Sequence, residues 1–162
     1  MLAPALKRLE VRAARDADLA AALALLEWEL PKNPWMDRTG ELLKAAVEKP
    51  KGEYQACVAV RDAELVGFGV YGILAGALGT GMIYGILVAP RSRRAGIGLR
   101  MLEYVVADLA SRRMRVIFAE YPADPYLVRY RALLLSHGFF EETRIDDYYR
   151  DGIAQIISRL DL

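Results

Sequence analysis

The chain is poor in the residues that most often build metal centres and covalent cross-links. It holds one cysteine, Cys57, and one histidine, His137. A lone cysteine excludes an intrachain disulfide and a cysteine-based metal site, and fits a reducing, cytoplasmic compartment. A lone histidine disfavours a His-rich metal site and a Cys–His pair, so no metal is expected. Net charge is nearly absent as well. Lys plus Arg is 22 against 21 for Asp plus Glu, which leaves +1. That balance gives no support to a nucleic-acid partner. The opening residues, Met1 to Arg8, lack the layout of a signal peptide, because the charge follows a very short apolar piece.

Charge is also missing locally. No charged residue occurs from Leu65 to Pro90, a stretch long enough to cross a bilayer. Gly72–Gly76 and Gly81–Gly85 even match small-xxx-small spacing, and basic residues follow at once. Seven glycines in this window argue against a helix. Two apolar strands, 65–74 and 82–88, joined through Gly76, Gly79, Thr80 and Gly81, account for it better. A buried hairpin is therefore expected, and no membrane partner.

What is present is enough for one domain over residues 1–162, with 54% hydrophobic residues to fill a core. Leu9–Arg12 reads as a strand. Asp16 or Asp18 can cap a helix running to about Leu30, with Leu19, Leu23, Leu26 and Leu30 on one face. Pro31 and Pro34 are expected to break it, leaving Trp35 and Met36 in a loop. A second helix is expected over 37–48. Strands follow at 54–61, 65–74 and 82–88, then a helix over 98–113 with Leu99, Leu102, Val105, Val106 and Leu109 inward. Residues 116–121 read as a strand, 125–136 as a helix stopped by His137-Gly138, and 139–148 and 153–160 as the last strands. The order β-α-α-β-β-β-α-β-α-β-β describes an α/β protein with a mixed sheet.

The most telling segment is Arg93-Arg94-Ala95-Gly96-Ile97-Gly98, between an apolar strand and an amphipathic helix. A glycine-rich loop at a helix N-terminus points several unpaired N–H groups at one place, and the helix dipole favours an anion there. It is not a Walker loop, because no Gly-Lys-Ser/Thr follows. It is not a dinucleotide fingerprint either, because the glycines are too few and the loop follows the fourth strand.

The loop resembles the Arg/Gln-x-x-Gly-x-Gly/Ala motif of the GNAT superfamily of N-acetyltransferases. Ile86-Leu87-Val88-Ala89-Pro90 is similar to that family's fourth strand, Leu9 to Asp18 to its opening strand and helix, and Ser136-His137-Gly138-Phe139 to its helix-Gly-Phe-strand ending. The likeness covers nearly the whole chain. It implies a GNAT-like fold and acetyl-CoA as donor. The backbone of Ile86, Leu87 and Val88 would hold the pantetheine arm. The amides of Arg93, Arg94, Ala95, Gly96, Ile97, Gly98 and Leu99 would wrap the pyrophosphate. Arg91, Arg94 or Arg100 could reach the outer phosphates. In look the chain is closest to ribosomal-protein and peptide N-terminal acetyltransferases.

Acetyl transfer needs a neutral amine, a stabilised oxyanion and a proton for the leaving thiolate. An N–H of Leu87 or Val88 is the expected oxyanion donor. Glu120, at the end of the apolar strand, is the expected base, and its position resembles the catalytic glutamate of ribosomal-protein acetyltransferases. The family's usual tyrosine acid is replaced here by Leu134, so Tyr130, one turn earlier, is the candidate for that role. This departure leaves an alternative reading: a CoA-binding module without catalysis. The acceptor, a small-molecule or peptide amine, is expected between the first two helices and the last hairpin. Trp28, Trp35, Met36, Tyr148 and Tyr149 lie there, with an acidic rim of Glu141, Glu142, Asp146, Asp147 and Asp151. A homodimer through the C-terminal strand is common in similar folds.

Overall fold

The computed structural model describes residues 8–29 and 34–162. Leu30 and Pro31 lie outside these residues. The chain forms β1 (Leu9–Ala13), α1 (Leu19–Glu29), α2 (Pro34–Glu48), β2 (Tyr54–Arg61), β3 (Glu64–Ile73) and β4 (Thr80–Val88). It continues through α3 (Ile97–Ser111), β5 (Val116–Pro122), α4 (Val128–Ser136), β6 (Phe140–Arg150) and β7 (Ile153–Asp161). This is the order the sequence pattern implies.

The strands form one seven-stranded sheet in the order β1-β2-β3-β4-β5-β7-β6. β1 to β4 are an antiparallel meander, β4 and β5 pair in parallel, and β7 runs antiparallel between β5 and β6. The charge-free stretch is the β3–β4 hairpin. Among the described residues no helix is long and apolar enough to cross a membrane.

Side chains alternate along each strand, so the sheet fills two cores. Cys57 and Ala59 pack with Met101, Leu102, Val105 and Leu109 of α3 and Leu134 of α4. Their neighbours Ala56 and Val58 pack with Ala22 and Leu26 of α1 and Leu42 and Leu43 of α2. Cys57 is fully buried, and burial pushes its thiol up to about 12. It is a packing residue with no thiolate to offer at neutral pH.

Two expectations about helices are corrected. Pro34 does not end a helix but begins α2, so Trp35 and Met36 are helical. Proline suits a first helical position, where no intrahelical N–H is lost. The inner stripe of α3 starts at Ile97 and runs through Met101, Leu102, Val105 and Leu109. Leu99 sits off that stripe and is 39% exposed.

α4 ends as the sequence suggests. Gly138 takes a left-handed φ of 94°. Its N–H donates to the Leu135 carbonyl at 3.2 Å, and the Phe139 N–H to the Leu134 carbonyl at 3.1 Å. This Schellman pairing satisfies the last carbonyls and turns the buried Phe139 back into the core.

At the other end of the sheet, Asp18 fixes the entry to α1. Its carboxylate accepts two bonds from Arg12, at 2.7 and 3.0 Å, and one from the Arg15 N–H at 2.8 Å. The Arg12 bond holds the Asp18 carboxyl below the usual aspartate range. A depressed folded pKa stabilises the fold above the unfolded value, near ~3.9, and that stabilisation is lost as pH falls through the folded value. Asp18→Asn is expected to lower unfolding stability by about 1–2 kcal/mol at pH 7. The difference from wild type should shrink below about pH 4 in urea titrations. An equal difference at pH 7 and pH 3 would assign the effect to packing instead.

Candidate active site

The site begins where the sheet stops being continuous. β4 and β5 pair only from Thr80–Val116 to Ile83–Ala119. From Tyr84 to Val88, β4 has no strand partner on that side. The register between β3 and β4 also slips here, Val70 facing Gly85 and Tyr71 facing Ile83, so Tyr84 is a bulge residue. Bulges re-aim a strand, and this one sits where β4 parts from β5.

A cavity of about 460 Å³ fills the gap. β4 contributes Ile86, Leu87 and Val88 to its wall, the loop contributes Arg93, Arg94 and Gly96, and the first turn of α3 contributes Ile97, Gly98 and Leu99. The opposite wall is Tyr126, Leu127, Arg129, Tyr130 and Leu133, from the start of α4 and the turn before it. Nine of the ten residues expected to hold the donor thus line one cavity. The tenth, Ala95, is an exposed loop residue outside the lining.

The loop conformation explains its sequence. Gly96 is the N-cap of α3 with φ 72°, and Arg94 is also left-handed at φ 62°. The first turn of α3, whose N–H groups have no intrahelical partner, lines this end of the cavity, as an anion site requires. Arg93 is tied inward, its Nε donating to the Val88 carbonyl at 3.0 Å. That bond links the end of β4 to the loop.

The sealed wall of the gap carries Tyr130. It is 7% exposed, and its ring meets Tyr121 edge-on with centroids 5.4 Å apart. Its hydroxyl has no hydrogen-bond partner among the described residues, and burial raises its pKa, so it stays a neutral phenol. Leu134, at the position of the usual tyrosine, is fully buried in the core behind it.

Glu120 follows the last β4–β5 pair and is half-buried, lining neither this cavity nor the smaller one beside it. Its charge is felt by Tyr84 and Tyr149, both raised in pKa chiefly by burial. Tyr149 is half-buried and bonded to Gln155, and the Tyr148 ring packs on it edge-on at 4.9 Å. Tyr148 itself is 55% exposed. Trp35 is half-buried and touches both cores, whereas Trp28 is 84% exposed and borders no cavity described here.

Much of the expected acidic rim is already neutralised. Glu141 pairs with Arg131, Glu142 with Arg159 at 3.7 Å and Asp146 with Arg144 at 2.8 Å. Asp147 accepts the Gly152 N–H at 2.7 Å and closes the β6–β7 turn. Sequence inspection missed Tyr126, Leu127, Arg129 and Leu133 as cavity residues. Only the position of α4 across the gap reveals them.

A mixed sheet parted at β4–β5, with a glycine loop and a helix N-terminus at one end of the cavity, is an arrangement suited to an anionic, phosphate-bearing ligand. Residues 20–139 match the profile of the Acetyltransferase (GNAT) family, and the chain belongs to that family. Its members transfer acetyl groups from acetyl-CoA. No curated protein matches the sequence significantly. Among solved structures, a GNAT-family protein from Desulfovibrio desulfuricans aligns at 26% identity and a TM-score of 0.84, covering 95% of this chain and 99% of that one. The ribosomal-protein-S18-alanine N-acetyltransferase of Escherichia coli aligns at 22% identity and a TM-score of 0.75, covering 95% and 94%. The NatC complex bound to Gag peptide and CoA aligns at 16% identity and a TM-score of 0.75, covering 96% and 99%. The last two likenesses are of fold.

Proposed function

We propose that this protein transfers the acetyl group of acetyl-CoA to a primary amine of a small molecule or peptide, by direct attack with both substrates bound. The observation that carries the reading is the cavity running from the unpaired edge of β4 to the N-terminus of α3. The residues fit the donor. The apolar wall of Ile86, Val88, Leu127 and Leu133 suits a pantetheine arm, and the Gly96 cap suits a pyrophosphate. Bound there, acetyl-CoA supplies an activated acetyl group.

The chain's own residues do the rest. The N–H of Leu87 or Val88 offers a hydrogen bond to a carbonyl oxygen in the gap. Glu120 takes the proton of the incoming ammonium, directly or through water. Tyr130, held as a neutral phenol, keeps a proton to give. Tyr148, Tyr149 and Trp35 form the acceptor's walls, and an aromatic wall beside a carboxylate suits a cationic amine.

One observation favours a second reading, a CoA-binding module without catalysis. Leu134 cannot donate a proton, and the Tyr130 hydroxyl is closed to solvent. Thiol release measured over a panel of amines and peptide N-termini, beside calorimetry with CoA, separates the two. Turnover with at least one amine is expected. CoA binding without turnover on any acceptor would establish the second reading, and absence of CoA binding would refute both.

A further inference from the structure

The sheet is covered unevenly on the face that α1 and α2 share. Together these helices pack on β2 and β3. Beyond them burial alternates along β5. Ile117, Ala119 and Tyr121 are buried in the core beneath α3, whereas Phe118 and Glu120 point the other way and are only half-buried. Ile157, opposite Glu120 on β7, is half-buried too. The α2 side of β5 and β7 is thus a shallow open trough with one carboxylate on its floor.

The β4 bulge supplies the edge of that trough nearest α2. Tyr84 packs with the α1–α2 core, and its ring meets Tyr54 edge-on at 5.7 Å. The next residue faces α2 as well, since a Cβ built at Gly85 would stand 3.8 Å from the Trp35 Cη2 and 3.9 Å from the Thr39 Cγ2. Arg38 is exposed on this same turn of α2. Burial chiefly raises the Tyr84 pKa; Arg38 opposes that rise, and Glu120 and Glu53 add to it. A guanidinium and a carboxylate thus act on one hydroxyl from two different elements. Among the described residues neither the Arg38 nor the Glu120 side chain has a hydrogen bond or an ion pair. They do not pair with each other, so a ligand carrying both charges can lie between them.

We propose that the acceptor is a small amine bearing a carboxylate, and that Arg38 holds the carboxylate while Glu120 faces the amine. The inference rests on the acetyl-transfer reading above and names its acceptor class. The planar guanidinium matches a carboxylate with two parallel N–H donors, which a lysine could not do. The Tyr54 and Tyr84 rings offer an apolar surface to the carbon stem that joins the two charges. A polyamine fits worse, because its second cation would stand before Arg38. A plain alkylamine leaves the guanidinium without a partner.

Alanine, β-alanine and γ-aminobutyrate, each assayed against its own amide by thiol release from acetyl-CoA, test this. The series varies the spacing of amine and carboxylate, and the amide removes only the charge. At least one acid should exceed its amide in kcat/KM by about tenfold to a hundredfold, the worth of a charge-assisted pair. Arg38→Gln should erase that preference, and Arg38→Glu should invert it. Calorimetry of the same acid with CoA-loaded protein should show the matching loss of affinity in Arg38→Gln. No acid preferred to its amide would overturn the inference while leaving acetyl transfer standing. A preference that survives Arg38→Gln would do the same. Failure of wild type to bind CoA would instead overturn the transfer reading itself.

Discussion

Gly96→Glu should lower CoA affinity by about a hundredfold, a figure that comes from charge repulsion, while a second, conformational cost falls on stability. Opposite a like charge at about 4 Å, a carboxylate is repelled by about 1–4 kcal/mol, depending on solvent access. A side chain on a left-handed residue adds about 1–2 kcal/mol. The second cost falls on the free protein as well, so it appears in stability more than in affinity. No atom lies within 4 Å of a Cβ built at Gly96, so the substitution meets no steric block in the empty loop. Gly96→Ala carries the strain without the charge and should keep most of the affinity. Calorimetry on the two variants separates electrostatics from conformation. Wild-type affinity in Gly96→Glu would mean that the phosphates lie elsewhere.

Glu120→Gln should reduce turnover by about 10²–10⁴-fold, the usual worth of a positioned base. CoA affinity should hold, because Glu120 does not line the donor cavity. The two readouts together distinguish lost chemistry from a disturbed fold. Glutamine keeps the size of the side chain but cannot take the proton. Rates equal to wild type at every pH would remove Glu120 from the mechanism.

Much of the fold was legible from the sequence because the signals are local. The loop from Arg93 to Gly98 carries its conformation in its glycines. The β3–β4 hairpin carries its identity in glycines too numerous for a helix. Gly138 marks the end of α4 through the left-handed geometry it adopts. Pro34 was misread because a proline stops one helix and starts another with equal ease. Leu99 lies two residues from both Ile97 and Met101, about 200° around the helix, and so falls off the buried face despite its i, i+3 spacing to Leu102. The site was legible only on one side. Its β4 and loop wall is contiguous in sequence. The facing wall from Tyr126 to Leu133 is apolar and helical, and nothing in such a segment states what it faces. The same holds for Glu141, Glu142 and Asp146, whose arginine partners are known only from the folded hairpin and its neighbours.

The parting of β4 from β5 also bears on the protein's stability. A sheet that opens before its strands end gives up ladder bonds and leaves main-chain groups to whatever enters. On the proposed function, the pantetheine arm of the donor would lie along that open edge of β4 like an added strand. Anything that binds only the folded chain stabilises it by mass action, about 2.7 kcal/mol at a hundred times its Kd. On that reading the donor would be a structural component as well as a reagent, and the strength of the β4–β5 seam would track its supply.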